Sequence, residues 1–215
     1  MQNNLVTLEV LQSIFDSELP GPSSQVKMAP KIRISDILKP KTNTNTISSS
    51  VLILIYPADN QLKTVLIQRP FYNGVHGGQV SFPGGKRERD ESIEQTALRE
   101  ANEEIGINPN NVNIIGKLTP LFIPPSNYIV YPFVGYMNKR PFFVPDSFEV
   151  MDIIEVELDF FLDNQNYKSE FIAMSSGEKL QTPCFIYNEK IVWGATAMII
   201  MEMADLVNHY FEVTN

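Results

Sequence analysis

The sequence predicts an α/β fold class with a mixed sheet lying between helices. Three features carry that expectation: paired apolar runs of strand character from Val51, a capped amphipathic helix after a double glycine, and further strands followed by a long apolar helix. With 215 residues the chain suits one hydrophobic core and is long enough to make it sizeable. Residues 1–45 are expected to form an N-terminal helix and extended segment packing on a domain that spans 46–215.

Leu5, Leu8, Leu11 and Phe15 recur at helical spacing and predict a short docking helix. Pro20, Gly21 and Pro22 mark a loop, and the polar run from Lys41 to Ser50 reads as an exposed linker. VLILIY from Val51 and TVLIQR from Thr64 predict a hairpin of buried strands turning through Pro57 to Gln61. QVSF leads into the glycine loop and the central helix. NVNIIGKL, YIVYPFVGYM and DIIEVEL then read as strands, DFFL as a helical turn, and SEFIAM, PCFIY and KIVW as later strands. A final helix from about Ala195 to Phe211 carries Met198, Met201 and Met203, adaptable side chains suited to core filling.

The chemistry is concentrated in GGKRERDESIEQTALREANEEIGI, from Gly84 to Ile107. Ser92 with Gln95 three residues on forms a capping-box pattern, and Gly106 supplies a left-handed stop, so a helix is expected between them. On that helix Glu100 precedes Glu103 and Glu104 by one turn, so three carboxylates are expected near one point. A solvated acidic face would interleave lysines, but between Ile93 and Ile107 the only basic residue is Arg99. Glu104 also follows the inward stripe Ile93, Ala97, Ala101, Ile105. Crowded, partly buried carboxylates need protons or a cation, and an oxygen-only donor set selects a hard ion, Mg2+ or Mn2+. Glu91, eight residues before Arg99, is placed either to pin that arginine or to sit as an ordinary acid in the first helical turn.

This stretch resembles the Nudix box of the Nudix hydrolases, with Gly85, Glu91, Arg99, Glu100, Ala101, Glu103, Glu104, Gly106 and Ile107 filling its positions in order. Just upstream, Arg69, Gly78 and Phe82-Pro83-Gly84-Gly85 are similar to the signature of the coenzyme A pyrophosphatase branch. Ile67, Pro70 and Gly74 depart from it, Gly74 standing where a second arginine is expected. Weaker similarity in KMAP at Lys27, NYIVYPFVGY at Asn127, Glu149-Val150 and IVWGATAMII at Ile191 extends the likeness over about residues 20 to 205.

The resemblance implies a Nudix-type α/β/α sandwich and Mg2+- or Mn2+-dependent hydrolysis of coenzyme A or its derivatives to 3′,5′-ADP and 4′-phosphopantetheine or its acyl form. Another nucleoside diphosphate derivative (ADP-ribose, a dinucleotide or a nucleoside triphosphate) is the alternative substrate, and a non-catalytic nucleotide-binding module the alternative class. By resemblance Glu100, Glu104, Glu103 and Gly84 serve the metal. Glu103, Arg99 and Glu149 serve catalysis, and Arg69, Gly78, Gln79, Phe82, Gly85 and Lys86 meet the substrate.

A net charge of −8 disfavours nucleic-acid and anionic-membrane partners. The resemblance implies a small nucleotide-type, CoA-like substrate, and a homodimer is a further expectation. Cys184 is alone, so no disulfide framework exists, and its expected role is a small buried hydrophobe. His76 and His209 lack metal-ligand company, and His76 is expected in a loop. MQNNLVTLEV has no basic-then-apolar signal pattern and no run reaches membrane-span length, so a cytoplasmic location is expected.

Overall fold

The computed structural model of the protein describes residues 6–72, 77–173, 177 and 179–214. Thr7 caps the first helix, α1 (Leu8–Ser13), by accepting the Val10 N–H, and a 3-10 turn continues it to Asp16. Leu5 of the expected apolar stripe lies outside the described residues. Where the sequence suggested an extended segment, Pro22 instead opens α2 (Pro22–Gln25), and 3-10 turns lead on to α3 (Ile34–Leu38). Proline suits a first helical position because the N–H it lacks would have no partner there. Leu11, Ile14, Met28 and Ile37 are buried, so these short helices pack on the body of the protein.

Strand β1 (Ile47–Ala58) begins four residues earlier than VLILIY. The linker expectation fails for Ile47–Ser50 because their polar groups are satisfied within the sheet. Ser49 Oγ donates to the Ile129 carbonyl at 3.2 Å and Ser50 Oγ to that of Tyr131 at 2.8 Å. Pro57 and Gln61 belong to the strands, and the turn is only Asp59-Asn60, at φ 52° and 62°. Both residue types tolerate that left-handed region, as a two-residue hairpin turn requires.

The other strands of the main sheet are β2 (Gln61–Gln68), β3 (Val80–Ser81), β4 (Gly84–Lys86), β5 (Asn113–Lys117), β6 (Leu121–Ile123), β7 (Tyr128–Tyr136) and β8 (Asp152–Glu157). They run in the order β3-β2-β1-β7-β5, with β4 also on β1, β6 on β7 and β8 on β2. β1 and β7 pair in parallel while the rest are antiparallel, so the sheet is mixed.

Alternation along β1 divides two apolar layers. Leu52, Leu54 and Tyr56 join Ala97, Ala101 and Ile105 of α4 (Ile93–Ile105), whereas Ile53 and Ile55 join Met198, Met201 and Met203 of α6 (Gly194–Thr214). A strand covered on both faces needs an unbroken apolar run, which explains VLILIY. The three methionines fill the core. α5 (Leu158–Leu162) and a second sheet, β9 (Tyr167–Ala173), β10 (Lys179–Tyr187) and β11 (Lys190–Trp193), complete the fold. Cys184 of β10 is buried, and burial raises its thiol pKa. Among the described residues no helix is long and apolar enough to cross a membrane.

Glu202, fully buried on α6, ties distant segments together. Its carboxylate accepts the Gln25 side-chain amide at 2.8 Å and the Thr119 backbone N–H at 3.0 Å.

Candidate active site

The site is built on the last turns of α4 and the glycine strand β4. Ser92 Oγ accepts the Gln95 N–H at 3.1 Å, and Gln95 Oε1 accepts the Ser92 N–H at 2.7 Å, so the capping box is complete. Gly106 at φ 72° ends the helix by donating back to the carbonyls of Ala101 and Asn102. Between these ends, residues three and four apart face β4.

Arg99 organises the acidic side chains. Its Nε and Nη2 grip both oxygens of Glu91 at 3.0 Å each, and Nη1 reaches Glu103 at 2.7 Å. Nη2 also donates to the Lys86 carbonyl at 3.0 Å and lies 3.0 Å from Glu100 Oε1. One planar fork thereby fixes helix, strand and loop, a task that a lysine's single ammonium cannot reproduce. The Arg99 bond holds the Glu91 carboxyl down at about 2, helped by the Glu88 N–H and the Thr96 hydroxyl. The same carboxylates raise the pKa of Arg99.

Glu104 is in the opposite situation. At 0% exposure its carboxylate accepts the Gly84 N–H at 2.8 Å, with Arg69 Nη1 at 3.5 Å, the outer limit of hydrogen bonding. Burial pushes its pKa up to about 8, and the charges of Glu100 and Glu149 add to that rise. Burial also raises Glu100, against the pull of Arg99 and with Glu103 and Glu149 adding to the rise. Gly85 lets Glu100 approach, since a methyl group there would overlap its carboxylate.

The expected convergence of three glutamates is replaced by two groups. Glu100 and Glu104 face the Gly84-Gly85 segment, while Glu103, with its side chain 52% exposed, turns outward to Arg99. Gly84 meets Glu104 through its N–H. Arg69 donates its backbone N–H to the Gln79 carbonyl, and Gly78, at φ 71°, donates to that of Pro70, which places the two substrate candidates Gly78 and Gln79 beside Arg69. Lys86 is exposed at the end of β4.

Phe82 requires a correction. It is 2% exposed and packs in the apolar layer shared with α6, so it supports the glycine strand from behind and has no surface for a substrate. Gly74 and His76 lie outside the described residues.

Glu149 is exposed on the loop between β7 and β8, yet its charge is felt at both Glu100 and Glu104. The residue that shapes this loop, Asp146, was missed in the sequence. Its N–H donates to the Glu104 carbonyl at 2.9 Å, and its carboxylate accepts the Phe148 and Glu149 N–H groups at 2.7 and 3.2 Å. An aspartate followed by a turn was the available signal, but nothing in the sequence said the turn docks on the helix.

Residues 47–169 match the NUDIX domain family. The chain belongs to the Nudix family. It is 33% identical over 190 residues to Nudix hydrolase 15, mitochondrial, of Arabidopsis thaliana, an alignment covering 85% of this chain and 64% of that protein. The chain therefore spans less than two thirds of the plant protein's length. It is also 33% identical over 176 residues to an uncharacterized Nudix hydrolase, NudL, of Pectobacterium atrosepticum, covering 81% of this chain and 88% of that one. A MutT/nudix family protein from Enterococcus faecalis superposes with a TM-score of 0.50 at 14% identity, over 99% of this chain and 76% of the other, a likeness of fold.

Nudix hydrolases generally act with divalent metal ions, and the donors present fit one. Among the described residues no three acidic, histidine or cysteine side chains form a ready-made cage. Mg2+ does not require one, because it is commonly held by one or two carboxylates together with substrate phosphates and water. Glu100 and Glu104 are both disfavoured as bare anions by their burial, and their oxygens therefore fit a hard cation.

Proposed function

We propose that the protein is a divalent-metal-dependent diphosphatase that hydrolyses the diphosphate bond of coenzyme A or its derivatives. The products would be 3′,5′-ADP and 4′-phosphopantetheine or its acyl form. The observation that carries the reading is the pair Glu100 and Glu104, the first partly and the second fully buried against the glycine strand with too little positive charge to balance them.

Glu100 and Glu104 would hold the metal, with Glu103 and the Gly84 carbonyl as further candidates. When bound, the ion supplies charge neutralisation for phosphate oxygens and acidifies water. The chain's own groups do the rest. Gly84 fixes one carboxylate and Arg99 orients the other, so neither must reorganise as charge develops. Arg69, part-exposed beside Glu104, would receive a substrate phosphate. Glu149 would be the general base, its backbone held by the Asp146 turn.

The coenzyme A assignment draws support from Arg69, Gly78 and the Phe82–Gly85 run, whereas Gly74 and Pro70 favour a second reading in which another nucleoside diphosphate derivative is cleaved. Incubation with Mg2+ and a panel of CoA, 3′-dephospho-CoA, ADP-ribose, diadenosine polyphosphates and nucleoside triphosphates, with products identified by mass, tests both. The first reading expects CoA to show the highest kcat/KM. Equal or better cleavage of dephospho-CoA and ADP-ribose would transfer the assignment to the second. No cleavage of any member would leave only nucleotide binding.

A further inference from the structure

The second sheet runs β11-β10-β9, and among the described residues no strand covers the outer side of β9. An open edge is a template for another strand. Which main-chain groups it offers follows from the inner pairing. Ser169 stands opposite Pro183, which has no N–H, so this pair cannot exchange both ladder bonds. Strict alternation assigns the exchanging pairs to Lys168–Cys184 and Glu170–Thr182. The N–H and C=O of Ser169 and Phe171 therefore point to the open edge, as does the Tyr167 carbonyl, while the Tyr167 N–H is taken by Asn164.

The side chains on this edge are self-complementary. Lys168 and Glu170 lie exposed on one face, and among the described residues Lys168 Nζ donates locally, to the Gln165 carbonyl at 3.0 Å. Tyr167 and Phe171 lie on the other face, and Phe171 is 65% exposed. Two antiparallel copies related by a two-fold axis normal to the sheet must be centred on a residue, because opposed side chains share a face. Centring on Lys168 or on Glu170 sets like charges against each other. Centring on Ser169 sets Lys168 against the second copy's Glu170, twice by symmetry, and Tyr167 against the second copy's Phe171.

We propose that β9 is a homodimerisation edge, pairing antiparallel about Ser169 with β9 of a second copy to make one continuous six-stranded sheet from the two three-stranded ones. The outward main-chain groups of Ser169 and Phe171 supply the ladder. The charge and aromatic pairs select the register.

Sedimentation velocity of the full chain over a concentration series tests this. The wild type should self-associate to a dimer. Lys168→Glu and Glu170→Lys should each raise the dissociation constant by roughly tenfold or more, because two attractive cross-strand pairs become two repulsive ones. An equimolar mixture of these two variants should regain wild-type affinity, since every glutamate then faces a lysine. Ser169→Pro, which deletes an outward N–H, should remain monomeric, with far-UV circular dichroism checking that each variant is folded. A wild type that stays monomeric throughout would overturn the proposal. So would a dimer indifferent to both reversals, or a mixture no tighter than its components.

Discussion

Individual carboxylates in this protein differ through their surroundings. Glu91 and Glu104 have the same chemistry, yet Arg99 holds one at about 2 while burial lifts the other to about 8. Glu104→Gln should preserve the fold and lower diphosphatase turnover by roughly a hundredfold to a thousandfold, the scale set by loss of a preorganised electrostatic group. Steady-state kinetics in saturating Mg2+ would check it, and near wild-type turnover would remove Glu104 from the metal site. Glu91 has a different signature. Its folded pKa lies below the ordinary 4.5, so its contribution to stability is complete above about 4.5 and fades as pH falls through about 2. Urea midpoints of wild type and Glu91→Gln should thus differ near neutrality and converge in acid; a gap that persists to pH 2 would mean that the charge is not what stabilises. At this scale the sequence singled out the carboxylates and Arg99 but did not say where each one points. Glu103 follows the helical spacing that was expected to bring it to Glu100 and Glu104, but Arg99 draws it outward.

Elements were legible where their own residues terminate them. Ser92, Gln95 and Gly106 define α4 from within, and both ends fell where the pattern placed them. Ser92→Ala should cost about 1 kcal/mol through loss of the cap. Gly106→Ala should cost more than its usual left-handed penalty, because the added methyl would also meet Val144, which docks by its N–H on the Ile105 carbonyl. Thermal denaturation of the two variants would rank them, and a Gly106→Ala protein as stable as wild type would contradict the close packing of that loop. Elements defined by distant partners were not legible. Ile47–Ser50 look like linker because the partners that satisfy them are distant: the Ser49 and Ser50 hydroxyls find acceptors on a strand some 80 residues later. β6 is three residues long, and the helices between Pro22 and Leu38 are held by burial rather than by capping boxes.

For the molecule as a whole, metal and fold are expected to be linked. An ion that binds the folded site and not the unfolded chain raises stability by RT ln(1 + [L]/Kd), about 2.7 kcal/mol at a hundredfold excess over Kd. Tm should therefore rise with Mg2+ or Mn2+ and return on chelation, and the rise should be absent in the Glu100→Gln, Glu104→Gln double variant. A variant that still responds would locate the ion elsewhere. The overall class was legible because β1 is apolar on both faces and must be sandwiched, but its neighbours could not be read from the sequence. That arrangement also has a history in time. β1 pairs in parallel with β7, and a parallel partner comes only after a long crossover, here everything from β2 through α4 to β6. At about 5–20 residues per second of synthesis, the nascent chain presents VLILIY for several seconds with only β2 and β4 to cover one edge, the other waiting for β7. During that interval this segment is the natural point for a chaperone to engage, or for two unfinished chains to find each other.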